Sequence, residues 1–114
     1  MKRIRAEFYR TERGAEPVRE WLLGLGKEDR RLIGVDIRVC EYGWPIGMPT
    51  CRALGQGLFE IRTNLPQNRA ARVLFFPFEG RLVFLHGFIK KTQQTPKPDL
   101  NLALSRKKQV ESEG

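Results

Sequence analysis

Only two cysteines and one histidine occur among the 114 residues. Cys40 and Cys51 stand eleven positions apart, one in an expected helix and one in an expected loop, without the close pairing or histidine partners that zinc ligation needs. A reduced chain with no metal or other cofactor follows as the expectation. No apolar run approaches the ~20 residues that cross a bilayer, and the opening MKRIRAEFYR lacks the apolar stretch of a secretion signal. A cytoplasmic protein with no membrane contact is expected. Gly55 and Gly57 are not followed by the Lys and Ser/Thr of a phosphate-binding P-loop, which excludes that motif. Acidic residues are outnumbered by basic ones. Lys and Arg number 21 against 13 Asp and Glu, a net charge of +8 that favours an anionic partner, nucleic acid first. The plainer alternative is basic charge scattered for solubility, and only the placement of the charges separates the two.

A chain of this length makes one domain, 1–114. IRAEFY alternates Ile4, Ala6 and Phe8 against Arg5, Glu7 and Tyr9, the period of a strand. Pro17 then suits a first helical turn, and Val18, Trp21, Leu22 and Leu25 gather on one face before Gly24 and Gly26 end the helix. A second helix is expected from about Lys27 to Tyr42, forming a hairpin with the first. Residues 43–57, dense in Gly and Pro, read as an irregular crossing. LFEIRTN, ARVLFFPFE and RLVFLHGFI are three β-rich segments joined by PQNRA and by a tight Glu79-Gly80 turn, an antiparallel meander. The last two are apolar on both parities and need cover on both faces. TPKPDLNLALSRKKQ supplies a helix for this, with Thr95 as its N-cap and a tail, VESEG, that frays. The order β-α-α-β-β-β-α describes an α+β fold: an antiparallel sheet with an N-terminal helical hairpin on one face and a C-terminal helix.

Charge placement is the informative feature. Glu60 and Arg62 share one face of their strand, Arg72 shares parity with Leu74, Phe76 and Phe78, and His86 shares parity with Phe84, Phe88 and Lys90. A suitable register brings Arg62, Arg72, His86 and Lys90 together beside Glu60. Guanidinium and ammonium groups hold phosphate and stabilise charge that develops on it, while Glu or His moves protons. RNA brings its own nucleophile, the 2′-hydroxyl. Each residue also has a plainer role: a hydrogen-bonded structural histidine, lysines that solvate a strand end, a cross-strand ion pair. Trp21 and Trp44 are able to stack bases, but Trp21 falls on the apolar helical face.

The succession LFEIR, ARVLFF and LVFLHGFIKKTQQTP resembles the phage-derived HigB-like toxins of the RelE/ParE superfamily, in which similar strands end in a Gly-Phe-x-Lys-Lys-Thr signature. The resemblance implies the toxin of a type II toxin–antitoxin system, a metal-independent endoribonuclease that cleaves mRNA on the ribosome and so inhibits translation. It assigns Arg62, Arg72, Lys90 and Lys91 to the phosphate and Glu60 or His86 to proton transfer. Arg52, Arg69 and Lys97 are the expected further contacts to RNA or ribosome. Arg72→Ala is expected to abolish cutting while leaving the fold intact. The implied partner is an antitoxin with a DNA-binding domain, with a toxin–antitoxin heterotetramer left open. Two alternatives stand beside this: ParE-like inhibition of DNA gyrase, and a non-catalytic nucleic-acid-binding module.

Overall fold

The computed structural model describes residues 4–47, 49–91 and 94–113. Along the chain run β1 (Arg5–Phe8), α1 (Pro17–Leu23), α2 (Lys27–Gly43), β2 (Cys51–Gly55), β3 (Leu58–Leu65), β4 (Arg69–Phe78), β5 (Arg81–Lys90) and α3 (Lys97–Glu113). The turn residues explain the sheet. Glu79 and Gly80 take φ of 49° and 77°, and Gln56 and Gly57 take 56° and 79°; both are two-residue turns whose twist matches that of the strands they join. Between β3 and β4, Gln67 and Asn68 also sit at positive φ. Four antiparallel strands result, and β1 adds in parallel to β5, giving the order β1-β5-β4-β3-β2.

Two expectations are corrected here. The sheet is mixed rather than antiparallel, because β1 and β5 run in the same direction with the two helices lying between them in sequence. The expected irregular crossing also contains a strand: β2 pairs with β3 through Cys51↔Ile61 and Arg52↔Glu60. Gly and Pro punctuate residues 43–50, but CRALG satisfies its backbone against an edge that β3 would otherwise leave open. The last helix also runs further than expected, through Val110 to Glu113.

Each face of the sheet carries a core. On one, Ile61, Val73, Phe75, Leu82 and Phe84 pack against Val18 of α1 and Ile33 and Cys40 of α2. Trp44 meets Phe59 and Phe75 edge-on, at centroid distances of 5.0 and 5.4 Å, so it belongs to this core rather than to a base-stacking surface. On the other face, Leu74, Phe76, Val83 and Leu85 pack against Tyr9 and Ala103, with Leu100 and Leu104 alongside. The C-terminal helix therefore supplies the cover that the doubly apolar strands need. Among the described residues, no helix is long and apolar enough to cross a membrane.

A bulge decides which residues share a face. Leu74 pairs with His86 but Phe75 pairs with Phe84, leaving Leu85 as an additional residue in β5. Phe84 consequently points into the α1/α2 core, while His86 continues on the α3 side. Their shared parity does not place them on one face. Beyond the bulge, Gly87 lies under the ring of Trp21, where an added Cβ would stand 2.4 Å from two ring carbons. Gly87→Ala is therefore expected to lower stability by roughly 1–3 kcal/mol through overpacking. A urea titration checks this, and an unchanged midpoint would refute the close approach.

Candidate nucleic-acid interface

The register turns scattered charges into rows. Arg52, Glu60, Leu74 and His86 lie side by side across β2, β3, β4 and β5. The next row is Arg62, Arg72 and Phe88, and the row after it is Asn64, Ala70 and Lys90. Alternation along each strand sends these side chains to the face that also carries α3. Arg52, Arg62, Arg72 and Lys90 thereby gather around the buried carboxylate of Glu60.

Glu60 and Arg72 form the floor. Glu60 is 0% exposed and Arg72 4%, with Glu60 Oε2 and Arg72 Nε 3.7 Å apart. Neither of these two atoms has a hydrogen-bond partner. The remaining polar atoms are partly satisfied: Thr95 Oγ1 donates to Glu60 Oε1 at 2.9 Å, and Arg72 Nη1 donates to the Ala71 carbonyl at 2.9 Å. Burial works most strongly against the Arg72 charge, Glu60 offsets it, and Arg62 and Arg52 add to the repulsion. Two expectations change as a result. Glu60 is shut off from solvent and faces Arg72, the position of a counter-ion. Arg72 is not an exposed phosphate hook, and Arg72→Ala would leave the Glu60 charge buried without its partner.

Three cations form the accessible layer. Arg52 is exposed, while Arg62 and Lys90 are half-buried. Arg62 rims a cleft of about 370 Å³ lined by Asp36, Pro49, Thr50 and Asn64, and the backbone N–H of Arg62 donates to Thr50 O at 2.8 Å. Arg52 rims a second cleft, about 190 Å³, with Leu54, Gln94, Thr95 and Leu100. Burial pushes the Lys90 ammonium below its ordinary pKa, and the charge of Arg72 pushes it the same way; Glu60 resists, and Arg62 and Arg52 reinforce the lowering. Such an ammonium releases its proton more readily than an isolated lysine.

The other expected residues divide. His86 lies one row from Arg62 and Arg72, and its Nε2 is 2.6 Å from Asp99 Oδ1 in the first turn of α3. Its ring stacks on Phe88 at 5.5 Å. Lys91 and Lys97 are exposed on either side of the passage from β5 to α3; Thr92, the last residue of the Lys-Lys-Thr signature, lies outside the described residues. Arg69 does not join the cluster. It sits on the opposite face, where Nη1 and Nη2 donate to the two oxygens of Asp29 in α2 at 2.6 and 3.0 Å. Sequence reasoning missed Asp99 and the donation of the Thr95 hydroxyl to Glu60. Residues thirty-five or thirteen positions distant give no local periodic signal for such pairings.

A family model described as Phage derived protein Gp49-like (DUF891) matches residues 20–108. The matched span takes in β2 to β5 and therefore every residue of the three rows. No curated protein matches the chain.

The buried pair makes a separable prediction. Arg72→Ala should cost roughly 3–5 kcal/mol by stranding Glu60, whereas a Glu60→Leu, Arg72→Met double variant should recover most of that loss. Chemical denaturation of the three proteins checks this. If the double variant is no more stable than Arg72→Ala, the pair is not the source of the loss.

Proposed function

The chain belongs to the phage-derived Gp49-like family, a toxin-like family, and from that premise we propose that it is the toxin of a type II toxin–antitoxin system that cleaves mRNA on the ribosome. The observation that carries this reading is the gathering of Arg52, Arg62, Arg72 and Lys90 on one sheet face around a single buried glutamate. Such an array suits a phosphodiester whose negative charge increases during reaction.

The chemistry proposed for these residues uses the 2′-hydroxyl of RNA as the nucleophile. Arg62 and Arg52 contact the phosphate and stabilise the charge that builds on its oxygens, and Arg72 adds its field from beneath. Lys90, with its proton held more weakly than in free lysine, protonates the leaving 5′-oxygen. His86 accepts the 2′-hydroxyl proton through the ring nitrogen that Asp99 does not occupy, with Asp99 orienting the ring. Lys91 and Lys97 extend the basic surface along the RNA. The partner in this reading is an antitoxin with a DNA-binding domain, whose acidic segment would neutralise the arginine and lysine rows.

In a translating extract, mapping of mRNA ends should show cuts that are absent from naked RNA given the same protein. Arg62→Ala and Lys90→Ala should each lower cutting at least ~100-fold, with unfolding midpoints near that of the parent. Intact messages alongside arrested synthesis would overturn the reading and direct attention to gyrase supercoiling.

Lys90 also sets a pH dependence. Its protonated form is the active acid, so cutting should fall as pH rises through its pKa. That fall should begin below the ordinary lysine value of ~10.4, and Lys90→Arg should remove this alkaline limb from the residual activity. An identical limb in the variant would assign the proton to another group.

A further inference from the structure

Away from the cationic rows, on the α1/α2 side of the sheet, the only two cysteines of the chain meet. Cys40 Sγ and Cys51 Sγ are 2.7 Å apart, about 0.7 Å beyond the ~2.05 Å of a disulfide bond. Both are free thiols in this structure, and both are buried, 0% and 2% exposed. Neither is able to drift away easily. The Cys40 carbonyl accepts from Trp44 N at 2.9 Å at the end of α2, and Cys51 N donates to Gly47 O at 3.1 Å while its strand pairs it with Ile61. An expected helix residue and an expected loop residue are thus held in contact by the fold.

We propose that Cys40 and Cys51 are an oxidative modification site that closes to an intramolecular disulfide tying the end of α2 to β2. The inference stands apart from the proposed RNA chemistry. The two sulfurs also differ in character. The hydrogen bond from Cys40 pulls the Cys51 thiol below its ordinary pKa, although burial and Asp36 oppose this. Cys40 is pushed up, first by the same contact, then by burial and by the negative charges of Cys51, Asp36 and Glu41.

With a hydroperoxide as oxidant, the Cys51 thiolate attacks one peroxide oxygen, the O–O bond breaks and a sulfenic acid forms. The leaving oxygen takes a proton and departs as water or alcohol. Cys40 sulfur then attacks Cys51 sulfur, its proton goes to the departing hydroxide, and one molecule of water leaves. Two thiols are oxidised and one hydroperoxide is reduced. The bond closes a loop of residues 40–51 and anchors the strand that carries Arg52.

Full-length protein, reduced and then treated with hydrogen peroxide, provides the test. Thiol counting after denaturation should fall from two to none, the intact mass should drop by two hydrogen atoms, and a peptide joining Cys40 to Cys51 should appear. The thermal midpoint should rise on the order of 10 °C from closure of the short loop. Cys40→Ala and Cys51→Ala should each lose the peroxide-dependent rise without forming sulfur-linked dimers. Retained thiols, oxygen addition without cross-linking, or dimers linked through sulfur would each overturn the proposal.

Discussion

Glu60 and Arg72 sit on neighbouring strands with their charged groups 3.7 Å apart and almost no exposure to water. Removing either charge from solvent is costly, and their attraction compensates only while both are present. Three further cations, Arg52, Arg62 and Lys90, act on Arg72 or on one another at this place. Without the glutamate, the β2–β5 face would concentrate positive charge in partly dry surroundings and its strands would repel. The carboxylate makes that concentration compatible with a folded sheet. It also receives the Thr95 hydroxyl and so draws the approach to α3 onto the same point.

This constraint divides the basic residues by depth. Arg72 shapes the potential from below, whereas Arg52, Arg62 and Lys90 face the surroundings and set what the surface contacts. A low-dielectric floor beneath exposed cations strengthens their field, because less of it is screened by water. The same floor lowers the affinity of Lys90 for its proton. One arrangement thus combines anion attraction with a lysine suited to donating a proton. On the other side of the sheet, Cys51 of β2, the strand that carries Arg52, meets Cys40 of α2.

Several features were legible residue by residue. Alternation in LFEIRTN placed Glu60 and Arg62 together, Glu79-Gly80 marked a turn, and two-sided apolar strands implied cover by the last helix, which α3 supplies through Leu100, Ala103 and Leu104. The reading failed where long-range pairing outweighed local pattern. CRALG is rich in neither branched nor aromatic residues, yet it becomes β2 because β3 offers it an edge. His86 and Phe84 share parity in the chain but not a face in the fold, because Leu85 is bulged. Arg69 looked like one more free base until α2 brought Asp29 to it.

The sequence by itself determined the elements and the excess of basic charge, since turn conformations, strand alternation and helical spacing arise from sterics within a few residues. Tertiary structure alone decided which charges became neighbours. Strand register, the bulge at Leu85 and the docking of α3 join residues far apart in the chain, and these depend on how two cores pack at once. For that reason the basic character of the protein is visible in its composition, whereas the burial of Glu60 with Arg72, the His86–Asp99 contact and the meeting of Cys40 with Cys51 exist only in the folded chain.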